Sequence, residues 1–261
     1  RSVSVEARQL IQKSCGIPAE HVLISGTHTH SAASALGEGR YQSDQPLDDY
    51  QKFVVRRIAD GVQRAVNQLQ PAEIAFVQVD VPEHLFNRRW FLKEGSEALK
   101  NPFGKIDKVR MNPPGGSPDL IEPAGPTDPG VSVIAVRQPG GRLLSVLATY
   151  SLHYVGGVGD GHISADYFGV FCEQLKYLQY PGDAEPPFVG ILANGTSGDV
   201  NNINFKTPRP GKPAYEQMKY VAHDLAAKVN AALQAAEWKA AAPLAARYQE
   251  LDVRWRTIEP A

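Results

Sequence analysis

Val131-Ser132-Val133-Ile134-Ala135-Val136-Arg137-Gln138-Pro139-Gly140-Gly141-Arg142-Leu143-Leu144-Ser145-Val146-Leu147-Ala148-Thr149-Tyr150-Ser151-Leu152-His153 is the stretch on which the fold turns. Val131 to Val136 and Leu143 to Leu147 are apolar runs on either side of Gln138-Pro139-Gly140-Gly141, and together they predict a hairpin. The second strand runs on to His153. A helix is expected from about Ala165 to Leu178, followed by Phe188-Val189-Gly190-Ile191-Leu192, a short apolar run typical of a buried strand. Strands and helices that alternate around one hairpin predict an α/β fold, a mixed sheet with helices packed on it.

Outward from this centre the same pattern continues. Val5 to Cys15 reads as a helix stopped by Gly16 and Pro18. His21-Val22-Leu23-Ile24-Ser25 reads as a buried strand. Tyr50, Val54, Ile58, Val62, Ala65, Val66 and Leu69 recur at helical spacing, and Ile74 to Val79 reads as a strand. Pro82 to Pro129 has no steady period. So long a segment is either a functional loop or an insertion over the surface. Tyr215 to Ala236 carries the cleanest helical stripe, Met218, Ala222, Leu225, Ala226, Val229 and Leu233, and Leu244 to Trp255 is expected to return as a strand. No internal repeat or linker divides residues 1–261, so one catalytic-type domain is the simpler expectation.

Composition excludes several classes of function. Of 261 residues, 43% are hydrophobic and 21% charged, as in an ordinary globular protein. A net charge of -1 gives no general field to gather nucleic acid. No apolar run is long enough to span a bilayer as a helix. Two cysteines, Cys15 and Cys172, are too few for a disulfide framework or a thiolate zinc site. Oligomeric state is not readable.

Three of the expected strands run out into polar clusters: His28 and His30, then His153, then Ser197 and Asp199. Parallel neighbours would bring these to one sheet edge, where ligands of open α/β sheets bind. On an extended backbone His28 and His30 point to one side. Both can face an ion, or one can bind it while the other holds substrate. Imidazole is the commonest protein ligand of zinc, and His153 is a natural third member. Asp199 is either a ligand or a partner that orients a histidine. His162, in the loop ahead of the helix with Ser164 as its cap, is placed beside the site. Gly195 to Asp199 is either a tight turn or a set of N–H groups for an oxyanion. Ser197 lacks a nucleophile elbow. Asn194-Gly195-Thr196 matches a glycosylation sequon. His21, His84 and His223 have no such company and read as satisfied surface or core residues.

At this point the residues resemble the neutral/alkaline non-lysosomal ceramidases. Leu23-Ile24-Ser25-Gly26-Thr27-His28-Thr29-His30-Ser31 is similar to that family's Thr-His-Thr-His-Ser signature, Asn87-Arg88 to its Asn-Arg motif, Ser151-Leu152-His153 to its second metal histidine, and Gly198-Asp199-Val200 to its Gly-Asp-Val segment. The matches come in the family's order. Thr196-Ser197-Gly198-Asp199 is closer to uncharacterised bacterial relatives. Where the family reads Ser-Pro-Asn after Gly-Asp-Val, this chain has Asn201-Asn202-Ile203, so a role for that serine does not carry over.

The resemblance implies a fold, a cofactor and a chemistry. In that family one zinc activates water against a ceramide amide. His28 and His153 are then expected as zinc ligands, and His30 and Arg88 as groups that hold the carbonyl or stabilise charge. Ser197, Gly198, Asp199 and His162 are expected around the substrate, a small molecule or lipid. The family's further zinc ligands, a glutamate and a tyrosine, have no match before Ala261, so a fragment of a longer chain is expected. A secreted or periplasmic location is implied by the resemblance alone. The alternative from another class is a non-catalytic lipid- or carbohydrate-binding module on the same fold, with Trp90, Phe91 and Phe103 as candidate contacts. A two-histidine amidohydrolase barrel ranks last, because no eightfold βα pattern is present.

Overall fold

The structure is a computed structural model that describes residues 2–37, 45–182 and 188–254. Its elements are α1 (Ser2–Cys15), α2 (Asp49–Asn67), β1 (Glu73–Asp80), β2 (Phe86–Asn87), β3 (Arg89–Leu92), β4 (Val109–Met111), β5 (Leu120–Pro123), β6 (Gly130–Arg137), β7 (Leu143–Tyr150), α3 (Asp166–Gln179), β8 (Val189–Asn194), β9 (Val200–Asn201) and α4 (Glu216–Gln234). The chain divides into two compact units, Arg1–Ile24 with Ser34–Leu69 and Pro243–Ala261, and Ser25–Ala33 with Gln70–Ala242.

In the first unit α1 packs on α2. Ala7, Leu47 and Val55 are buried between them, and Val3, Leu10, Ile24 and Ile58 pack around. α2 starts at a reciprocal cap: Gln51 N–H donates to Asp48 Oδ1 at 2.7 Å, and Asp48 N–H to Gln51 Oε1 at 3.0 Å. The buried line is Gln51, Val55 and Ala59, whereas Tyr50 and Leu69 from the expected stripe are exposed. The helix thus faces inward one residue round from the reading by hydrophobicity.

The second unit is built on a four-stranded sheet in the order β1-β6-β7-β8. β1, β6 and β7 are antiparallel and β7 pairs parallel with β8, the crossover passing through α3. The sheet is therefore mixed, as the hairpin followed by strand, helix and strand required. On one face the inward side chains Val131, Val133, Ala135, Val146, Ala148 and Tyr150 meet Tyr167, Phe171 and Leu175 of α3 and Met218, Ala222, Leu225, Val229 and Leu233 of α4. The other face carries Phe76, Ile134, Leu147 and Ile191, opposite one another in register across the four strands, and all four are exposed. β8 was expected to be buried; its Val189 and Ile191 are exposed, because α3 and α4 pack on the opposite face of this sheet.

Residues 82–129 are not a structureless loop. They hold a three-stranded antiparallel sheet in the order β4-β3-β5, packed around Trp90, Leu92, Leu99 and Phe205. Its strands are three or four residues long, too short to show a period.

Two expected strands are absent. Ala19–His21 is a turn of 3₁₀ helix, Val22 to Ser25 joins no ladder, and Leu23 is 92% exposed. Residues 244–254 likewise form no strand, with Leu244, Leu251 and Val253 exposed; Trp255 lies outside the described residues. A strand is stabilised by a hydrogen-bonded neighbour, and among the described residues neither apolar run finds one.

A candidate metal centre

β7 and β8 are parallel neighbours, so their carboxyl ends lie side by side, at Tyr150 and Asn194. The chain leaves both strands there under tight constraint. Gly195 N–H donates to Tyr150 O at 2.9 Å, and Thr196 N–H donates to Ser151 Oγ at 3.1 Å. A Cβ on Gly195 would stand 2.6 Å from Ser151 Oγ, so glycine is needed for this approach. With Ser197 N–H also turned back to Gly195 O at 2.9 Å, these amides serve the turn and are not free for an oxyanion.

His153 follows this junction and is buried. Its Nδ1 lies 2.9 Å from the carbonyl oxygen of Ser197. A carbonyl only accepts, so Nδ1 carries the proton and the lone pair of the neutral ring is on Nε2.

His28 and His30 arrive by a route the sequence did not suggest. The segment is not a strand, and His28 has φ 62°, a left-handed conformation unusual for a side chain other than glycine. The alternation of an extended backbone therefore does not explain why the two rings face one place. The segment is held instead by cross-links. Asn194 Nδ2 donates to Thr27 O at 2.6 Å, Ser164 N–H to Ser31 O at 2.9 Å, and Ser31 Oγ to Ser164 O at 2.9 Å. The sequon asparagine thus uses its amide nitrogen within the fold.

The three rings form one cluster. Centroids are 4.8 Å apart for His28 and His30, 4.5 Å for His28 and His153, and 5.3 Å for His30 and His153. One ring nitrogen from each lies within 4.8 Å of the others, and His28 and His30 are open to solvent while His153 closes the base. Tetrahedral zinc with bonds of about 2.0–2.1 Å sets its nitrogen ligands roughly 3.3 Å apart, within a small side-chain adjustment of this spread. The donor set fits zinc: neutral imidazoles, one with its tautomer already fixed.

Charge supports the same state. The pKa of His30 is lowered by partial desolvation, then by the neighbouring His28 and His153; Asp166 opposes this and Arg88 adds to it. That of His153 is lowered by burial against the opposing bond to Ser197, and by Arg88 and His28. Two imidazolium rings 4.5 Å apart would repel by about 4 kcal/mol at an effective dielectric of about 20. His30 and His153 are therefore held neutral, the form that binds metal.

Arg88 stands beside them on the pairing of β2 with β9, where Asn87 lies opposite Val200. Arg88 N–H donates to Asp199 O at 2.7 Å, its Nη2 to Gly198 O at 2.6 Å, and Asn87 Nδ2 to Asp199 Oδ2 at 3.2 Å. The Asn-Arg and Gly-Asp-Val segments, 110 residues apart, are thus one joined unit. Arg88 Nε is buried without a partner among the described residues.

The other expected residues fall into place around this centre or away from it. Ser197 and Gly198 contribute backbone carbonyls, to His153 and Arg88. Asp199 pairs with Asn87 and orients no histidine. His162 is exposed and hydrogen-bonds Tyr215 Oη, apart from the three-ring cluster. His84, expected to be a satisfied core residue, is buried 2.8 Å from Asp224. Ser164 accepts from Asp166 N–H at 3.0 Å, one residue ahead of the position that caps α3.

Two residues were missed. Tyr154 stacks on His30 with centroids 3.8 Å apart. Asp166 is buried at φ 55°, and its carboxylate accepts from the N–H groups of Val155, Gly156 and Tyr167 at 3.0, 2.8 and 2.6 Å. It fixes the chain just beyond His153. Its place ahead of a helix suggested capping and nothing more.

No protein-family model and no curated protein matches the chain. Solved structures do. A neutral ceramidase from Pseudomonas aeruginosa is 19% identical with a TM-score of 0.57, and a ceramidase complexed with C2 is 18% identical with a TM-score of 0.58. Each comparison covers 89% of this chain and 34% of the other, so the chain spans about a third of the length of these structures. At such identity the likeness is one of architecture: this chain has the mixed α/β fold found over that part of the neutral ceramidase structures.

Proposed function

We propose that this chain carries the metal centre of a zinc-dependent, ceramidase-like hydrolase of amide bonds, acting on an N-acyl lipid or a related substrate. The observation that carries the reading is the convergence of His28, His30 and His153 on one point at the carboxyl edge of a ceramidase-like sheet.

His28 and His153 would hold zinc, His153 through Nε2 because Nδ1 is committed to Ser197. Zinc held there supplies Lewis acidity toward water and a substrate carbonyl. His30, kept neutral and upright against Tyr154, can donate a hydrogen bond to the carbonyl oxygen as negative charge develops on it. Arg88, fixed by one nitrogen to Gly198 O and with Nε unpaired, is placed to stabilise the same charge. Each such donor contributes about 3 kcal/mol to a transition state of this kind. Secretion or a periplasmic location belongs to the same reading.

The test is elemental analysis of the whole protein beside its alanine variants. Zinc should be present in the wild type and lost in His28→Ala and His153→Ala, and a panel of N-acyl substrates should be cleaved only when it is present. Full zinc content in both variants refutes the ligand assignment. A zinc-loaded protein inert to the panel favours the binding-module reading instead.

A further inference from the structure

The strongest unexplained feature is the loop between Leu99 and Asp107, which ends the small sheet that grows from Arg88. Its base is a built structure. Leu99 is buried with Trp90, Leu92 and Phe205, Asp107 N–H donates to Leu99 O at 2.8 Å, and Asn101 N–H donates to Lys105 O at 2.9 Å. Its tip is a β-turn, Asn101-Pro102-Phe103-Gly104, closed by Gly104 N–H to Asn101 O at 3.2 Å, with Gly104 at φ 74°. Asn101 Oδ1 also accepts from the N–H groups of Phe103 and Lys105, both at 3.0 Å, and its Nδ2 donates to Asp107 at 2.9 Å. This is a stiff turn.

What it presents is unusual for a stiff turn in water. Phe103 is 82% exposed and Ile106 is 65% exposed. Met111, just beyond, is also exposed. From Leu99 to Met111 the chain carries Lys100, Lys105, Lys108 and Arg110 against one carboxylate, Asp107, although the whole protein has a net charge of -1. Lys100 is paired with Glu97, but among the described residues Lys105, Lys108 and Arg110 have no carboxylate partner. Apolar side chains at the end of a rigid turn, ringed by unpaired cations, match an interface whose surface is anionic and whose interior is hydrocarbon.

We infer that the Phe103–Ile106 tip docks this protein on an anionic lipid surface, the phenylalanine and isoleucine entering the headgroup boundary while Lys105, Lys108 and Arg110 meet lipid phosphates. The docking element and Arg88 belong to one substructure: Arg88 immediately precedes β3, and its carbonyl accepts from Asn112 N–H at the end of β4, 2.7 Å away. The inference goes beyond the proposed activity and does not depend on it, because docking needs no metal.

The test is sedimentation of the full chain, stripped of metal by a chelator, with vesicles of phosphatidylcholine alone or mixed equally with phosphatidylglycerol. Partition should favour the anionic vesicles and weaken as salt is added. Phe103→Ser with Ile106→Ser should lower partition about tenfold or more into both kinds of vesicle. Lys105→Glu with Lys108→Glu should remove the preference for anionic vesicles, by about fivefold for each cation lost. All four sites are exposed, and thermal unfolding of each variant checks the fold. Equal partition of wild type and variants, or none for the wild type at low salt, overturns the inference and leaves the turn to a protein partner. Cleavage of a water-soluble N-acyl substrate, measured separately, reports on the catalytic reading alone.

Discussion

His153 donates its Nδ1 proton to the main-chain oxygen of Ser197, 2.9 Å away. Because the acceptor is backbone, the side chain of Ser197 is dispensable to it. Ser197→Ala is expected to retain zinc and to keep kcat within about twofold, since the imidazole stays oriented by the same carbonyl. Zinc analysis and steady-state kinetics check this. A collapse of activity with zinc retained would make Ser197 a participant in the chemistry.

The two lowered imidazole pKa values give pH dependence a definite sign. His30 and His153 are lowered below the ordinary 6.5 in the folded chain, mainly by desolvation and by each other's company with His28. On acidification through 6.5 the unfolded chain takes up protons before the fold does. Stability of the metal-free protein should then fall as pH drops from about 6.5 toward the folded values, and level off below them. Above that range both states are neutral and the dependence vanishes. Urea unfolding across pH, with His30→Ala and His153→Ala as references, should show the slope reduced in each variant.

Much of this centre was readable before any coordinates, for reasons that differ from residue to residue. The β6–β7 hairpin and the stripe of α4 follow from local periodicity and a turn signal, and both are present. The approach of His153 to the β8 turn follows from parallel pairing of two neighbouring strands. The segment before His28 did not become a strand, because an apolar run becomes one only with a neighbour, and composition does not say whether a neighbour exists. Nor does sequence reveal that His28 is left-handed, that Asp166 turns its carboxylate into three amides, or that Asn87 and Arg88 close on Gly198 and Asp199. Each depends on contacts between residues distant in the chain.

The junction of β7 and β8 turns on a contact of Gly195 with Ser151 that leaves no room for a methyl group. A Cβ at Gly195 would lie 2.6 Å from Ser151 Oγ and 3.4 Å from Ser151 N. Gly195→Ala should cost about 1–3 kcal/mol, as overpacking does. Ser151→Ala alone loses the bond from Thr196 N–H, roughly 1 kcal/mol. Removing the hydroxyl also relieves the clash, so the double variant should be less destabilised than the two single losses together. A double-mutant cycle by urea denaturation measures the coupling, and strict additivity would contradict the close approach.

Asp166 offers a graded test of the loop behind His153. Asp166→Ala leaves three buried or half-buried N–H groups, those of Val155, Gly156 and Tyr167, without their acceptor, and should cost about 3 kcal/mol or more. Asp166→Asn keeps one oxygen and tolerates φ near 55° better than most residues, so its cost should be roughly half. If the loop positions His153, zinc affinity should fall in the same order as stability. Equal stability of both variants with the wild type would show that water replaces the carboxylate without loss.

Arg88 separates charge from geometry. Its Nη2 is tied to Gly198 O while Nε stays unpaired beside two imidazoles whose pKa values it helps to lower. Lysine keeps the charge but has one donor group and no planar fork, so it can hold the Gly198 carbonyl or face a developing oxyanion, not both. Arg88→Lys is expected to retain full zinc content and to lower kcat by about 100-fold, with KM changed much less, because the lost contact forms mainly in the transition state. A rise in KM with kcat intact would move Arg88 to ground-state binding of the acyl chain. Loss of zinc in this variant would mean that the guanidinium supports the histidine cluster structurally, through its hold on the turn that carries the Ser197 carbonyl.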